Sequence, residues 1–193
     1  MNSELANLDN VSRHYDNIII ISHCRDELVF FLDFITHRTL LVLVTKPSSS
    51  QEFQIINNFI IKKGCELVIL EEPDTFNITF KLSDKTKSII KLFCEYKSYN
   101  KLITQDRTTV ESDVVSREVF DFVHSLKLNN KQLIKKHYVP EYDVKNKKVI
   151  PQGFYNSAVK YAQVYLNTDK EINNRVNMMM NTYSSVTGLK LIN

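Results

Sequence analysis

Continuous apolar runs alternate with amphipathic segments in the N-terminal part of the chain. The apolar runs cover residues 17–22, 39–44 and 66–70 and are rich in β-branched side chains, which is typical of strands buried on both faces of a parallel sheet. Residues 26–35 and 49–63 carry apolar side chains at helical spacing. This strand–helix–strand–helix–strand series predicts an α/β fold with three layers, a Rossmann-like, mostly parallel sheet with helices on both faces.

The pattern continues less regularly after Pro73. Alternating or continuous apolar residues predict further strands, and helical spacing predicts further helices. The strands cover 76–81, 101–104 and 133–139, and the helices cover 83–96, 114–126 and 169–183. No internal repeat or long linker divides the sequence, so we expect one α/β domain over residues 1–193.

The predicted strands place their carboxyl ends at four points along the sequence. These points are Ser22, Thr45, Glu71 and Thr104. Because open parallel sheets bind ligands at the carboxyl ends of their strands, we expect the chemistry of the protein near these residues.

Composition excludes some function classes. The chain has only 3 Gly, which excludes the glycine-rich dinucleotide loop and the Walker-type phosphate loop, since both need several glycines close together. The net charge of +3 is mild, and lysines between 127 and 148 are better explained as a solvated face than as a nucleic-acid surface. Nucleic acid is therefore an unlikely partner.

Cysteine usage and the N-terminal sequence indicate the compartment. The 3 Cys are odd in number and form no C-x-x-C pair, which favours a reducing environment. Residues 1–16 are polar, without the apolar core of a signal peptide, and no window approaches the ~18 apolar residues of a membrane span. We therefore expect a cytoplasmic protein without a membrane span.

One group of residues suggests chemistry. The run Ser22–Glu27 (S-H-C-R-D-E) lies where the first strand ends and the first helix begins. His23 and Asp26 are close enough across that turn to converge on a metal ion. The alternative is that Asp26 and Glu27 interact with the helix dipole and that His23 is an ordinary loop residue.

The order of several short motifs resembles the PIG-L/LmbE-like family of zinc-dependent sugar N-deacetylases. Ser22–Glu27 resembles the family's A-H-P-D-D-E motif. Ile103–Arg107 and Glu111–Val114 fall where the family has its T-x-D loop and its H-P-D-H motif, and Tyr183–Val186 is similar to its closing Y/H-x-S-Q motif. The resemblance covers most of the chain in order and implies a Rossmann-like sheet with a metal site after the first strand.

The resemblance also implies roles for individual residues. His23 and Asp26 match two zinc ligands of the family, whereas its third-ligand position is Val114, which has no donor atom. The family's general base corresponds to Arg25, and a guanidinium cannot accept a proton at neutral pH. Glu111 or Asp113 could substitute as base or oxygen ligand, and His124 or His137 could reach the site from later elements.

These departures lead to ranked expectations. The first is a divergent, catalytically impaired protein with weak or absent zinc, which keeps a cleft for an amino sugar, glycan or nucleotide sugar and uses Arg25 and Tyr183 to bind it. The alternative is an active, metal-dependent N-deacetylase with a rebuilt site that releases acetate from an N-acetylated sugar. A nucleic-acid-associated protein is the third hypothesis, and the cleft could also serve a protein partner.

Overall fold

A computed structural model describes residues 13–24, 31, 34–105 and 113–126, together with the backbone of 136–142 and 186–192. Most of its strands and helices up to residue 126 lie where the sequence predicts them. The strands are β1 (His14–Ile21), β2 (Thr39–Thr45), β3 (Glu66–Glu72), β4 (Ser98–Thr104), β5 (Lys136–Tyr142) and β6 (Val186–Ile192). The helices are α1 (Ser50–Lys63), α2 (Asp84–Tyr96) and α3 (Val114–Ser125).

The strands form one sheet in the order β3-β2-β1-β4-β5-β6. Neighbours from β3 to β5 are parallel, and β6 is antiparallel to β5. In register, Ile19 of β1 pairs with Leu41 of β2 on one side and with Ile103 of β4 on the other. The order of strands along the chain reverses between β1 and β4, which makes their carboxyl ends the point where such sheets bind ligands.

The core has two halves, one on each face of the sheet. Odd-numbered residues of β1 and β2, such as Ile19 and Leu41, pack with Ile56 and Phe59 of α1. On the other face, even-numbered strand residues pack with side chains of α2 and α3. The members of this second group include Ile18, Ile20, Leu40, Val42, Ile90, Phe93, Val115 and Val119. The α/β prediction with helices on both faces of a mostly parallel sheet is therefore confirmed at this level.

Local sequence signals set the ends of the helices. The hydroxyl of Ser49 accepts the Glu52 N–H at the start of α1, and that of Ser83 accepts the Thr86 N–H at the start of α2. Gly64 ends α1 in the left-handed region with φ 68°, and its N–H donates to the carbonyls of Ile60 and Ile61. Gly64 thus forms the C-terminal cap of α1.

Residues 76–81 form a loop, and the predicted edge strand there is wrong. The side-chain oxygen of Asn77 accepts the Thr79 N–H at 3.0 Å, and its carbonyl accepts the Phe80 N–H at 2.9 Å. This turn uses N–H groups that a strand would offer to a neighbour, so alternation alone was a misleading signal.

The C-terminal part of the chain was predicted less well. The predicted strand 133–139 overlaps β5 only in part, and β6, with Gly188 at its centre, was not predicted. The predicted helix 169–183 lies outside the described residues, as does most of the helix predicted over 26–35. In the part of the chain that the structure describes, every helix is too short or too polar to cross a bilayer.

Candidate functional site

His23 lies two residues after the carboxyl end of β1, between two carboxylates. Its Nδ1 is 3.1 Å from Oδ2 of Asp113, and its Nε2 is 3.1 Å from Oδ1 of Asp74. The side chains of His23 and Asp113 are each 19% exposed, whereas that of Asp74 is 46% exposed. The His23 ring therefore links the loop after β1 to the loop after β3 and to the start of α3. The Asp74 side of the ring is the side nearer solvent.

Asp113 reaches His23 because it is the N-cap of α3. Its Oδ1 accepts the N–H groups of Val115 and Ser116 at 3.0 and 3.1 Å, which satisfies donors that the first helical turn leaves open. Its Oδ2 is 2.7 Å from the Ser116 hydroxyl, which is also 2.9 Å from Oε1 of the buried Gln105 after β4. The helix cap thereby fixes one carboxylate oxygen toward the ring of His23.

Hydrogen bonding and the nearby His23 keep the pKa of Asp113 low although the side chain is mostly buried. Burial by itself raises the pKa of a carboxyl, and it is the largest single influence on this one. The hydrogen bond and charge interaction with His23, together with the hydrogen bonds from Ser116, outweigh burial and hold the pKa of Asp113 below its ordinary value. Asp113 is therefore a carboxylate at neutral pH.

Asp74 is positioned by the way the chain leaves β3. Glu71 has φ 62°, a left-handed conformation that costs a non-glycine residue about 1–2 kcal/mol, and Pro73 follows it. The buried carboxylate of Glu72 accepts hydrogen bonds from the N–H and the hydroxyl of Ser83 and so closes the loop that carries Asp74. The turn directs the chain away from the sheet just before Asp74.

Ser22, between β1 and His23, is fully buried. Its carbonyl accepts from the N–H and the hydroxyl of Thr45, which ties the ends of β1 and β2 together. Among the residues that the structure describes, its own hydroxyl has no hydrogen-bond partner. Most buried hydroxyl groups have a hydrogen-bond partner, so Ser22 is an exception among the described residues.

The structure brings two of the residues predicted from the sequence into contact. His23 and Asp113 are in contact, and Asp113 serves as a helix cap and hydrogen-bond partner. Val114, at the third-ligand position, is 5% exposed and apolar. His124 is exposed and stacks on Phe120 in the last turn of α3, roughly 16 Å along the helix from Asp113.

Other predicted residues cannot be placed. Arg25, Asp26, Glu111 and Tyr183 lie outside the described residues, and of His137 only the backbone is described, in β5. Their predicted roles stay predictions.

The described residues do not by themselves complete a three-ligand zinc centre, and Asp26, the second expected ligand, lies outside them. Such a centre takes three protein ligands, and a histidine ligand must present a free lone pair. Carboxylate oxygens lie near both ring nitrogens of His23, and only the protonated ring donates from both. Within the described ranges no three His, Cys, Asp or Glu side chains converge as a metal site.

Asp74 is the site residue that the sequence reasoning missed. It belongs to no recognised motif, yet it lies three residues after Glu71, where the carboxyl end of a strand was predicted. That position alone could have identified it, since the carboxyl ends of β1 and β3 meet at one edge of the sheet.

Comparison with known proteins adds no relative. No protein-family model matches the chain, and no curated protein matches its sequence.

Proposed function

We propose that this chain is a divergent PIG-L/LmbE-like protein, impaired in catalysis, that binds an amino-sugar or glycan-type ligand at the carboxyl edge of its sheet. The observation that carries the proposal is the contact of His23 with Asp113 and Asp74. It lies beside the reversal point between β1 and β4, where ligands of open α/β sheets bind.

The chemistry of the site supports a polar, hydroxyl-rich ligand. The half-exposed carboxylate of Asp74 can accept hydrogen bonds from sugar hydroxyls or pair with the ammonium of an amino sugar. His23 is less exposed and contacts Asp74, and Asp113 in turn contacts the other nitrogen of the His23 ring. A small number of fixed polar groups of this kind is what orients a ligand in a binding site.

Two features support loss of catalysis. Val114 is apolar and buried at the position where the resemblance implies a zinc ligand. Arg25 stands where the resemblance implies the general base, and a guanidinium cannot perform that task. Binding is retained under this proposal because it needs neither a third ligand nor a base.

The test is a binding titration of the full chain with glucosamine, N-acetylglucosamine and its β-1,4-linked trimer, followed by NMR or calorimetry. We expect millimolar to micromolar binding of at least one probe, weakened at least about tenfold by Asp74→Asn, because a charged hydrogen bond is worth more than about 1.4 kcal/mol. Asp16→Asn is the matched control, since Asp16 is a half-exposed carboxylate toward the amino end of β1. Absence of binding to every probe would refute the proposal.

The remaining hypotheses predict other outcomes of the same preparation. An active N-deacetylase with a rebuilt site would carry stoichiometric zinc that His23→Ala removes, and would release acetate from N-acetylglucosamine. A nucleic-acid-associated protein would bind RNA or DNA with an affinity that falls steeply with salt. Either result would replace the binding proposal.

A further inference from the structure

The loop from β3 to α2, residues 73–82, presents two apolar side chains to solvent. Phe76 is 76% exposed and Ile78 is 82% exposed, more than any other large apolar residue in the described ranges. The same loop buries Leu82 and packs Phe80 against the core. The loop therefore has an inner apolar side that packs in the core and an outer apolar side that is largely exposed.

Hydrogen bonds and an ion pair fix this loop at several points. Glu72 and Ser83 close its base, and Asn77 accepts the N–H and the hydroxyl of Thr79 near its tip. Lys81 Nζ lies 2.5 Å from Oε1 of Glu118 in α3. The exposed Phe76 therefore belongs to an ordered segment, and an apolar group that is already held in place loses little conformational freedom on binding.

Phe76 is also next to the candidate site. It lies two residues after Asp74, so the two Cα atoms are at most about 7 Å apart. The carboxylate of Asp74 contacts His23. An aromatic face and an exposed carboxylate thus lie at the same rim of the carboxyl edge, within reach of one ligand.

We propose that Phe76 is the stacking residue for a pyranose ring of the amino sugar, with Asp74 binding its hydroxyl or amino groups; this inference rests on the proposed function. A sugar ring has an apolar face of C–H groups and a polar edge, which matches an aromatic ring beside a carboxylate. A free ammonium on the sugar is attracted to the face of the phenyl ring as well. The amino sugar of the proposed function would then bind with its ring against the loop.

The experiment compares three variants of the full chain with the wild type, using the same titrations with glucosamine, N-acetylglucosamine and the trimer. Phe76→Ala removes the stacking face, and Phe76→Tyr keeps it. Tyr96→Ala is the control, because Tyr96 is an aromatic residue of similar exposure, 70%, at the end of α2 that precedes the start of β4. Circular dichroism and a urea melt verify that each variant is folded.

We expect Phe76→Ala to weaken binding at least about fivefold, whereas Phe76→Tyr and Tyr96→Ala bind within about twofold of the wild type. Binding by the wild type that Phe76→Ala leaves unchanged overturns this inference and leaves the proposed function intact. No binding by the wild type overturns the proposed function and this inference with it. Self-association that Phe76→Ala abolishes, at unchanged sugar affinity, assigns the loop to a protein contact instead.

Discussion

Asp113 caps α3 with one carboxylate oxygen and contacts His23 with the other, 3.1 Å from its Nδ1. The same side chain therefore stabilises a helix and holds the candidate site. Because both groups are four-fifths buried, the contact is only weakly screened by solvent. A substitution of Asp113 should therefore affect both the stability of the first turn of α3 and the contact with His23.

Two substitutions of Asp113 separate these roles. Asparagine caps helices as well as aspartate, so Asp113→Asn keeps the cap and removes the charge, at a cost of about 1–2 kcal/mol in the free energy of unfolding. Asp113→Ala removes both and costs about 1 kcal/mol more. Urea denaturation measures both values, with the exposed pair of Asp16 and Arg38 as control through Asp16→Asn, expected to cost under about 1 kcal/mol. Equal stability of Asp113→Asn and the wild type would contradict the charged contact.

The contact also predicts the response to acid. Hydrogen bonds from His23 and Ser116 hold the pKa of Asp113 below its unfolded value of about 3.9. A carboxyl with a depressed folded pKa contributes its stability above the unfolded pKa, and loses it as the pH falls through the folded pKa. The stability gap between the wild type and Asp113→Asn should therefore be full at pH 6 and shrink below about pH 4. Urea melts at pH 3, 4 and 6 measure it, and a gap that stays constant would rule out this linkage.

His23 should carry protons on both ring nitrogens at neutral pH. Each ring nitrogen lies 3.1 Å from a carboxylate oxygen, and only the imidazolium form can donate a hydrogen bond from both nitrogens. Nitrogen-15 NMR of the histidine side chains distinguishes this form from either neutral tautomer. Asp74→Asn and Asp113→Asn should each increase the neutral fraction, whereas a neutral ring in the wild type would contradict the arrangement.

The sequence was sufficient where one local signal determined the structure. Ile18–Ile21 and Leu40–Val44 are apolar on both sides, which only a covered parallel strand accommodates. It was misleading at Phe76 and Ile78, where alternation suggested a strand but the side chains face solvent. Asp113 was a candidate because of its motif position. Its contact with His23 could not be predicted, because it depends on how α3 packs against β1. The position of Asp74 after a predicted strand end could have marked it as a candidate, but its contact with His23 depends on the loop conformation, since β3 and β1 are separated by β2.

Gly64 provides a test of the backbone rather than of side-chain contacts. A Cβ at this position would meet only His37 Cβ at 3.7 Å, an ordinary contact, so the cost of a side chain comes from φ 68°. Gly64→Ala should lower the free energy of unfolding by about 1 kcal/mol, and Gly64→Asn by less, because asparagine tolerates the left-handed region. Thermal melts compare the two variants. A loss in Gly64→Asn as large as that in Gly64→Ala would mean that the contact, not the backbone, sets the cost.

Reversing two substitutions tests the relationship to the deacetylase family. The resemblance implies that Arg25→Asp with Val114→His restores a base and a third zinc ligand beside His23. Asp113 already holds the start of α3 against His23, so residue 114 is adjacent in the chain to a group in contact with the ring. We expect the double variant to bind zinc at least about tenfold more tightly than the wild type, measured by competition with a chelating dye.

Val114 is buried, so the new imidazole should also cost about 1–2 kcal/mol of stability, which zinc recovers. The single variants and the double variant with His23→Ala are the controls and should gain little. A folded double variant without added zinc affinity would separate this site from the family's metal centre and leave only the α/β architecture in common.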